Sequence, residues 1–223
     1  MKRYLPFLIV LLVAVVAVGG GAVLYSAKRP HPLTIPKGKS VSAAKESGEG
    51  HALGPADAPV TLQEFGDFQC PPCGRLSEPI NQLQRDYKEK LRLVFRNFPL
   101  INHLHAREAA YAAEAAGLQG RFWQMHDALY REQAVWSNSA DARALFAAYA
   151  GYIGLNTERF KLDMDSEKVK ERVEADQKQG LSLGVKNTPT IFVNNKEIDP
   201  KSLNPTELRA AIDAALKQAK PSS

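Results

Sequence analysis

Cys70 and Cys73 are the only thiols in 223 residues, and they stand at C-x-x-C spacing in the tetrad Cys70-Pro71-Pro72-Cys73. A disulfide across two intervening residues closes almost no loop, so it gains little of the loop-closure entropy through which structural bridges stabilise a fold. The same spacing suits a bond that opens and closes, which makes redox exchange the first reading. The pair follows an alternating apolar run and heads a helical pattern, which places Cys70 at a helix N-terminus. There, unpaired backbone N–H groups and the positive end of the macrodipole favour the thiolate. Cys70 is assigned as the attacking thiol and Cys73, one turn further in, as the more buried resolving thiol. Proline is tolerated at the first helical positions. Pro71 and Pro72 nevertheless withdraw two N–H donors from the Cys70 sulfur, so the expected thiol pKa is lowered but not extreme.

A lone C-x-x-C is also half of a zinc site, with His103 and His105 as the obvious completion. At i, i+2 on an opening helix these rings point about 200° apart, so one at most faces a shared ion. Haem attachment needs a histidine after the second cysteine, and position 74 is Gly. Glu64 shares a strand face with Val60 and Leu62 and is expected to point inward, where burial raises a carboxyl pKa and lets it accept or return a proton. A strand-end acid reaching water is the other reading. Asp67 is read as a turn residue with no role. Phe122, Trp123, Tyr130 and Trp136 are read as core, and His126 as a surface or satisfied histidine.

The elements that must position these residues follow from hydrophobic period. Residues 60–65 and 91–95 alternate as strands, and Leu76, Ile80, Leu83 and Tyr87 recur at helical spacing between them. Pro79 is expected to bend that helix or mark where it restarts. Ala-rich helical segments follow at 103–116, 121–131, 140–149, 157–163 and 167–180, with glycines at the joints. Strand character returns at 190–193, with Asn194-Asn195 as a turn, and a last helix spans about 206–217. The order strand, helix, strand, helical block, strand, helix is that of an α/β sheet with a helical insertion at about 103–182.

The formal charge is +5. Without residues 1–25, which carry Lys2 and Arg3 but no acid, 27 basic residues face 24 acidic ones. The basic residues form no run interleaved with aromatics, which argues against nucleic-acid binding. Residues 5–24 contain no charged side chain and are long enough to cross a hydrocarbon core of about 30 Å. They are expected to be an N-terminal transmembrane anchor; a cleaved signal sequence, with Gly20 and Ala22 as the small exit residues, is the alternative. Either one puts the cysteines outside the cytoplasm. Residues 26–50, punctuated by proline and glycine, read as a flexible tether with a reach of about 25–30 Å.

Three separated stretches carry a family resemblance: VTLQEFGDFQCPPC at 60–73, the lead-in HALGPADAP at 51–59, and GVKNTPTIFV at 184–193. Together they resemble the DsbA-like thiol-disulfide oxidoreductases, in their membrane-anchored BdbD-like branch, over roughly residues 51–219. The resemblance implies a thioredoxin fold with an inserted all-helical domain, an extracytoplasmic location and no bound cofactor. It implies disulfide exchange with exported client proteins that carry free thiols, and a membrane quinone-linked partner of the DsbB or vitamin K epoxide reductase type. It matches Thr188-Pro189 to the family's cis-proline loop, which lies against the active-site disulfide and offers the Thr188 backbone to an extended client segment. An X–Pro bond taken blind is cis in only about 5–6% of cases, so this expectation rests on the resemblance. Glu64 matches the acid beneath the thiols that relays protons for Cys73. The expected activity is that of a dithiol oxidase. A reductase or isomerase on the same fold is the near alternative, and a non-enzymatic metal-binding or tethered binding module is the alternative from another class.

Overall fold

A five-stranded sheet forms the centre of the described residues, which run from 50 to 219 in this computed structural model. Its strands are β1 (His51–Leu53), β2 (Val60–Gly66), β3 (Leu91–Asn97), β4 (Thr190–Val193) and β5 (Lys196–Glu197), in the spatial order β1-β3-β2-β4-β5. Strands β2 and β3 are parallel, while β1, β4 and β5 pair antiparallel with β3, β2 and β4. The parallel pair needs a crossover, supplied by helix α1 (Pro71–Tyr87). Pro79 lies inside α1, and the helix continues through it without restarting.

Helices α2 (Ala106–Leu118), α3 (Phe122–Arg131), α4 (Gln133–Trp136), α5 (Ala142–Tyr152), α6 (Thr157–Met164) and α7 (Glu167–Ser182) form the insertion, and α8 (Pro205–Ala219) closes the domain. The helical block therefore begins three residues later than its period suggests, because His103 and His105 lie in the loop before α2. The two-residue turn at Asn194 and Asn195, both at positive φ, joins β4 to β5. Asparagine tolerates that left-handed region, which gives the hairpin its tight reversal.

The period-2 pattern of β2 fixes what lies on each face. Val60 and Leu62 are fully buried against Leu76, Ile80 and Leu83 of α1 and Leu208 and Ile212 of α8. Phe65 turns to the opposite face and meets Phe98, Val185 and Phe192. Glu64 continues the Val60–Leu62 face towards the end of the strand where α1 begins. The anchor read at 5–24 and the tether, apart from Gly50, fall outside the described residues. Among the described residues no helix is long and apolar enough to cross a membrane.

Candidate active site

Cys70 is the N-cap of α1, in extended backbone conformation, with Pro71 opening the helix. Its N–H donates to the Asp67 carbonyl at 3.0 Å, and its own carbonyl accepts from Gly74 at 3.1 Å. Cys73, one turn in, is fully buried, whereas Cys70 retains 4% of its surface. Both thiols are free. The Cys70 Sγ lies 3.2 Å from the Thr188 carbonyl, and the Thr188–Pro189 peptide bond is cis.

The two sulfurs are driven apart electrostatically. Cys70 falls from 9.0 to about 6, chiefly because the Cys73 thiol donates a hydrogen bond to it; burial and the Asp67 charge oppose this. The Thr188 hydroxyl makes no hydrogen bond in the resting geometry, yet it adds a smaller pull in the same direction as Cys73. The Thr188 carbonyl can only accept, so its contact holds the thiol form of Cys70 and not the thiolate. Cys73 is pushed well above 9.0 by burial, by its bond to Cys70 and by the charge of Glu64. Glu64 is 2% exposed and raised to about 8, first by burial and then by the Cys70 charge. Its Oε1 has no hydrogen-bond partner among the described residues. The reading of Glu64 as a strand-end acid in water does not hold.

Three residues of the site escaped the sequence reading. Asp67 behaves locally as a turn residue, accepting from the Gln69 N–H at 2.7 Å, but it is buried and its second oxygen binds across the loop. That oxygen accepts from the Leu100 N–H at 2.9 Å and lies 2.7 Å from His103 Nδ1. His105 gives its backbone N–H to Gln69 Oε1 at 2.6 Å. Both histidines thus belong to the loop that braces the tetrad. Among the described residues no group of three or more His, Cys, Asp or Glu side chains is placed to hold a metal.

Gln133 of α4 is the second. Its amide donates to the Phe68 carbonyl at 2.6 Å and to the Cys70 carbonyl at 2.9 Å, tying the insertion to the thiol loop. A β-carbon at Gly74 would stand 2.7 Å from its Oε1, so a side chain there would push the Gln133 amide away from these carbonyls. The third is Tyr130, buried as core but with an unpartnered hydroxyl. No local pattern marks the part each plays at the site, since that part rests on contacts with residues at least 30 positions away. His126 is buried and satisfied, with Nδ1 2.9 Å from Asp127 Oδ1. Beside the thiols, Pro72, Arg75, Lys186, Thr188, Pro189 and Glu197 line an open groove of about 610 Å³.

Comparison with known proteins accords with this geometry. A family model described as thioredoxin matches residues 46–214. The structure of oxidised BdbD from Bacillus subtilis superposes with a TM-score of 0.67 at 29% identity, covering 76% of this chain and 94% of that one. A thioredoxin-like oxidoreductase from Silicibacter pomeroyi gives 0.63 at 28% identity, covering 75% and 92%. The thiol-disulfide exchange protein α-DsbA2 from Wolbachia pipientis shares the fold at 19% identity, with a TM-score of 0.65 over 76% and 88% of the two chains. Among curated sequences, the Na⁺/H⁺ antiporter NhaA 1 of Mycolicibacterium gilvum is 40% identical over 151 residues, 66% of this chain and 23% of the antiporter. The NhaA of Herminiimonas arsenicoxydans is 38% identical over 148 residues, again 66% of this chain and 23% of the antiporter. This chain therefore spans about a quarter of the length of those relatives.

Proposed function

Because the chain belongs to the thioredoxin family and has the fold of DsbA-like thiol-disulfide oxidoreductases, we propose that it is a dithiol oxidase that donates the Cys70–Cys73 disulfide to client proteins. The observation that carries this is the opposition of the two sulfurs: Cys70 lowered to about 6 and Cys73 raised, one helical turn apart. A stabilised Cys70 thiolate favours the reduced pair over the disulfide, and that is what makes a disulfide a good oxidant.

A client thiolate attacks the Cys70 sulfur, forming a client–Cys70 mixed disulfide and expelling Cys73 as a thiolate. Cys73 is a poor place for negative charge, and Glu64, whose carboxyl burial holds above the usual carboxylate range, lies beneath the pair to supply a proton. The second client thiolate then attacks the client sulfur of the mixed disulfide. Cys70 leaves as the stabler thiolate, the client departs oxidised, and two electrons remain on the cysteine pair. Thr188 and Pro189 form one wall of the groove, so an extended client segment there lies against Cys70 with the Thr188 carbonyl as a backbone acceptor. Exported proteins with free thiols fit this role, as does a membrane quinone-linked partner that reoxidises the pair. Both place the domain outside the cytoplasm, in keeping with an anchor at residues 5–24.

The reduction potential of the full-length chain, measured by equilibration with glutathione, tests the direction. A value of about −120 to −180 mV is expected. A value of about −270 mV overturns the oxidase and makes the protein a reductase supplied with electrons. Failure to form an exchangeable disulfide overturns both.

A further inference from the structure

Three buried polar atoms among the residues that act on the thiols have no hydrogen-bond partner: Glu64 Oε1, Tyr130 Oη and Thr188 Oγ1. The tyrosine is the unexpected one. Its ring is packed on all sides, 4.9 Å from Phe68, 4.9 Å from His126 and 6.4 Å from Phe95 between centroids. A phenylalanine would fill that space without burying an unpaired hydroxyl, which is a costly thing to leave in a core.

The hydroxyl reaches strand β2 at Gly66, where an added β-carbon would stand 3.0 Å from Oη. Gly66 and Glu64 are two residues apart and therefore on one face of the strand, separated by about 7 Å along it. Tyr130 Oη occupies the space above Gly66 that a side chain would otherwise fill, on the strand face that also carries Glu64, and it makes no hydrogen bond to Glu64 Oε1 in the resting geometry. The charges that act on the phenol are, in order, those of Cys73, Glu64, Asp67 and Cys70. A phenol donates well to an anion, and the Glu64 carboxyl becomes one when it gives up its proton.

We propose that Tyr130 is a positioning residue for the proton exchanged between Glu64 and Cys73. The inference rests on the reading of Glu64 as proton donor. When the client thiolate breaks the Cys70–Cys73 bond, the electron pair leaves on Cys73 and the Glu64 proton moves to that sulfur. Glu64 is left as a buried carboxylate. The Tyr130 O–H donates to it, keeping its own proton, until a proton from solvent restores the acid. Tyr130 thereby lowers the cost of the charge-separated state and never bonds to the client.

The test uses Tyr130→Phe, Glu64→Gln and the double variant in the full-length chain. The rate of attack of dithiothreitol on the oxidised pair is followed from about pH 5 to 10, beside the thermal midpoint of each variant. In the parent protein the rate constant per dithiothreitol thiolate, corrected for the reagent's own ionisation, falls as Glu64 loses its proton. Tyr130→Phe, lacking the donor to the carboxylate, should slow the attack about tenfold and move that falling limb up by about one pH unit, with the melt preserved. Glu64→Gln should abolish the limb, and Tyr130→Phe should then add nothing.

A Tyr130→Phe profile that overlays the parent, with the limb lost in Glu64→Gln, overturns the tyrosine inference alone. A limb that survives Glu64→Gln overturns the Glu64 reading and this inference with it. An equal slowing by Tyr130→Phe in both backgrounds overturns it too, since the phenol would then act without Glu64. If Tyr130→Phe loses its cooperative melt, fluorotyrosine at position 130 keeps the packing and strengthens the donor. It must move the limb to lower pH, and an unmoved limb overturns the proposal.

Discussion

Two clusters of buried polar groups lie at opposite ends of the logic of this molecule. In the first, at the junction of β3 with the insertion, Asp176 accepts from Arg96 at 2.8 Å and from the Asn97 N–H at 3.1 Å, with Arg172 3.3 Å away. Glu114 accepts from the Asn97 amide at 2.6 Å and lies 2.8 Å from His51 Nε2, linking β1, β3, α2 and α7. Of the buried side-chain oxygens and nitrogens in this cluster, Asn97 Oδ1 alone has no partner among the described residues, and burial still pushes the Asp176 carboxyl up. In the second cluster, beneath the thiols, Glu64, Tyr130 and Thr188 each keep an unpaired atom. Paired buried charges specify an arrangement and hold it. Unpaired ones remain available to a charge that comes and goes, which an exchanging disulfide requires.

The contrast is broken most severely by Asp176→Ala. It leaves Arg96 buried without its counter-charge and should lower stability by about 4 kcal/mol, with a fall of about 10 °C in the thermal midpoint. The Cys70 titration, followed by alkylation rate, should stay near pH 6. Glu64→Gln should act in the opposite direction. Glu64 is raised from 4.5 to about 8, so between those values the folded state holds a proton that the unfolded state has released, and stability falls as pH rises. Replacing it should add about 2–3 kcal/mol at pH 7 and nothing near pH 4, as read from urea unfolding at both.

Gly66→Ala sharpens the comparison within the active cluster. Its methyl would meet the Phe95 ring at 2.5 Å as well as Tyr130 Oη, so a loss of about 2 kcal/mol is expected by denaturant titration, together with slowed exchange. The smallest effect belongs to Thr188→Val, which removes an unpaired hydroxyl at nearly constant shape. Stability should change by less than about 0.5 kcal/mol. The alkylation midpoint of Cys70 should rise slightly, because Thr188 helps to lower it.

Local pattern alone was enough for much of this protein. Alternation marked β2, β3 and β4, helical spacing marked α1 and the insertion, and two adjacent asparagines marked the reversal after β4. The C-x-x-C pair at a helix start was legible because both its spacing and its place are properties of a few consecutive residues. The inward turn of Glu64 was legible for the same reason, as strand period assigns faces. Strands β1 and β5, three and two residues long, carry too little period to read and exist only because a neighbouring strand offers its edge.

Tertiary structure decided the rest. Whether Asp67 faced water or the Leu100 N–H and His103, whether Gln133 reached the Cys70 carbonyl, and whether Tyr130 was only core depended on segments 30 to 65 residues apart meeting. The pKa values of the thiols follow the same division. A helix N-terminus can be read from the chain, but the separation of Cys70 from Cys73 arises from burial and from charges brought in by other elements, and desolvation has no local signature.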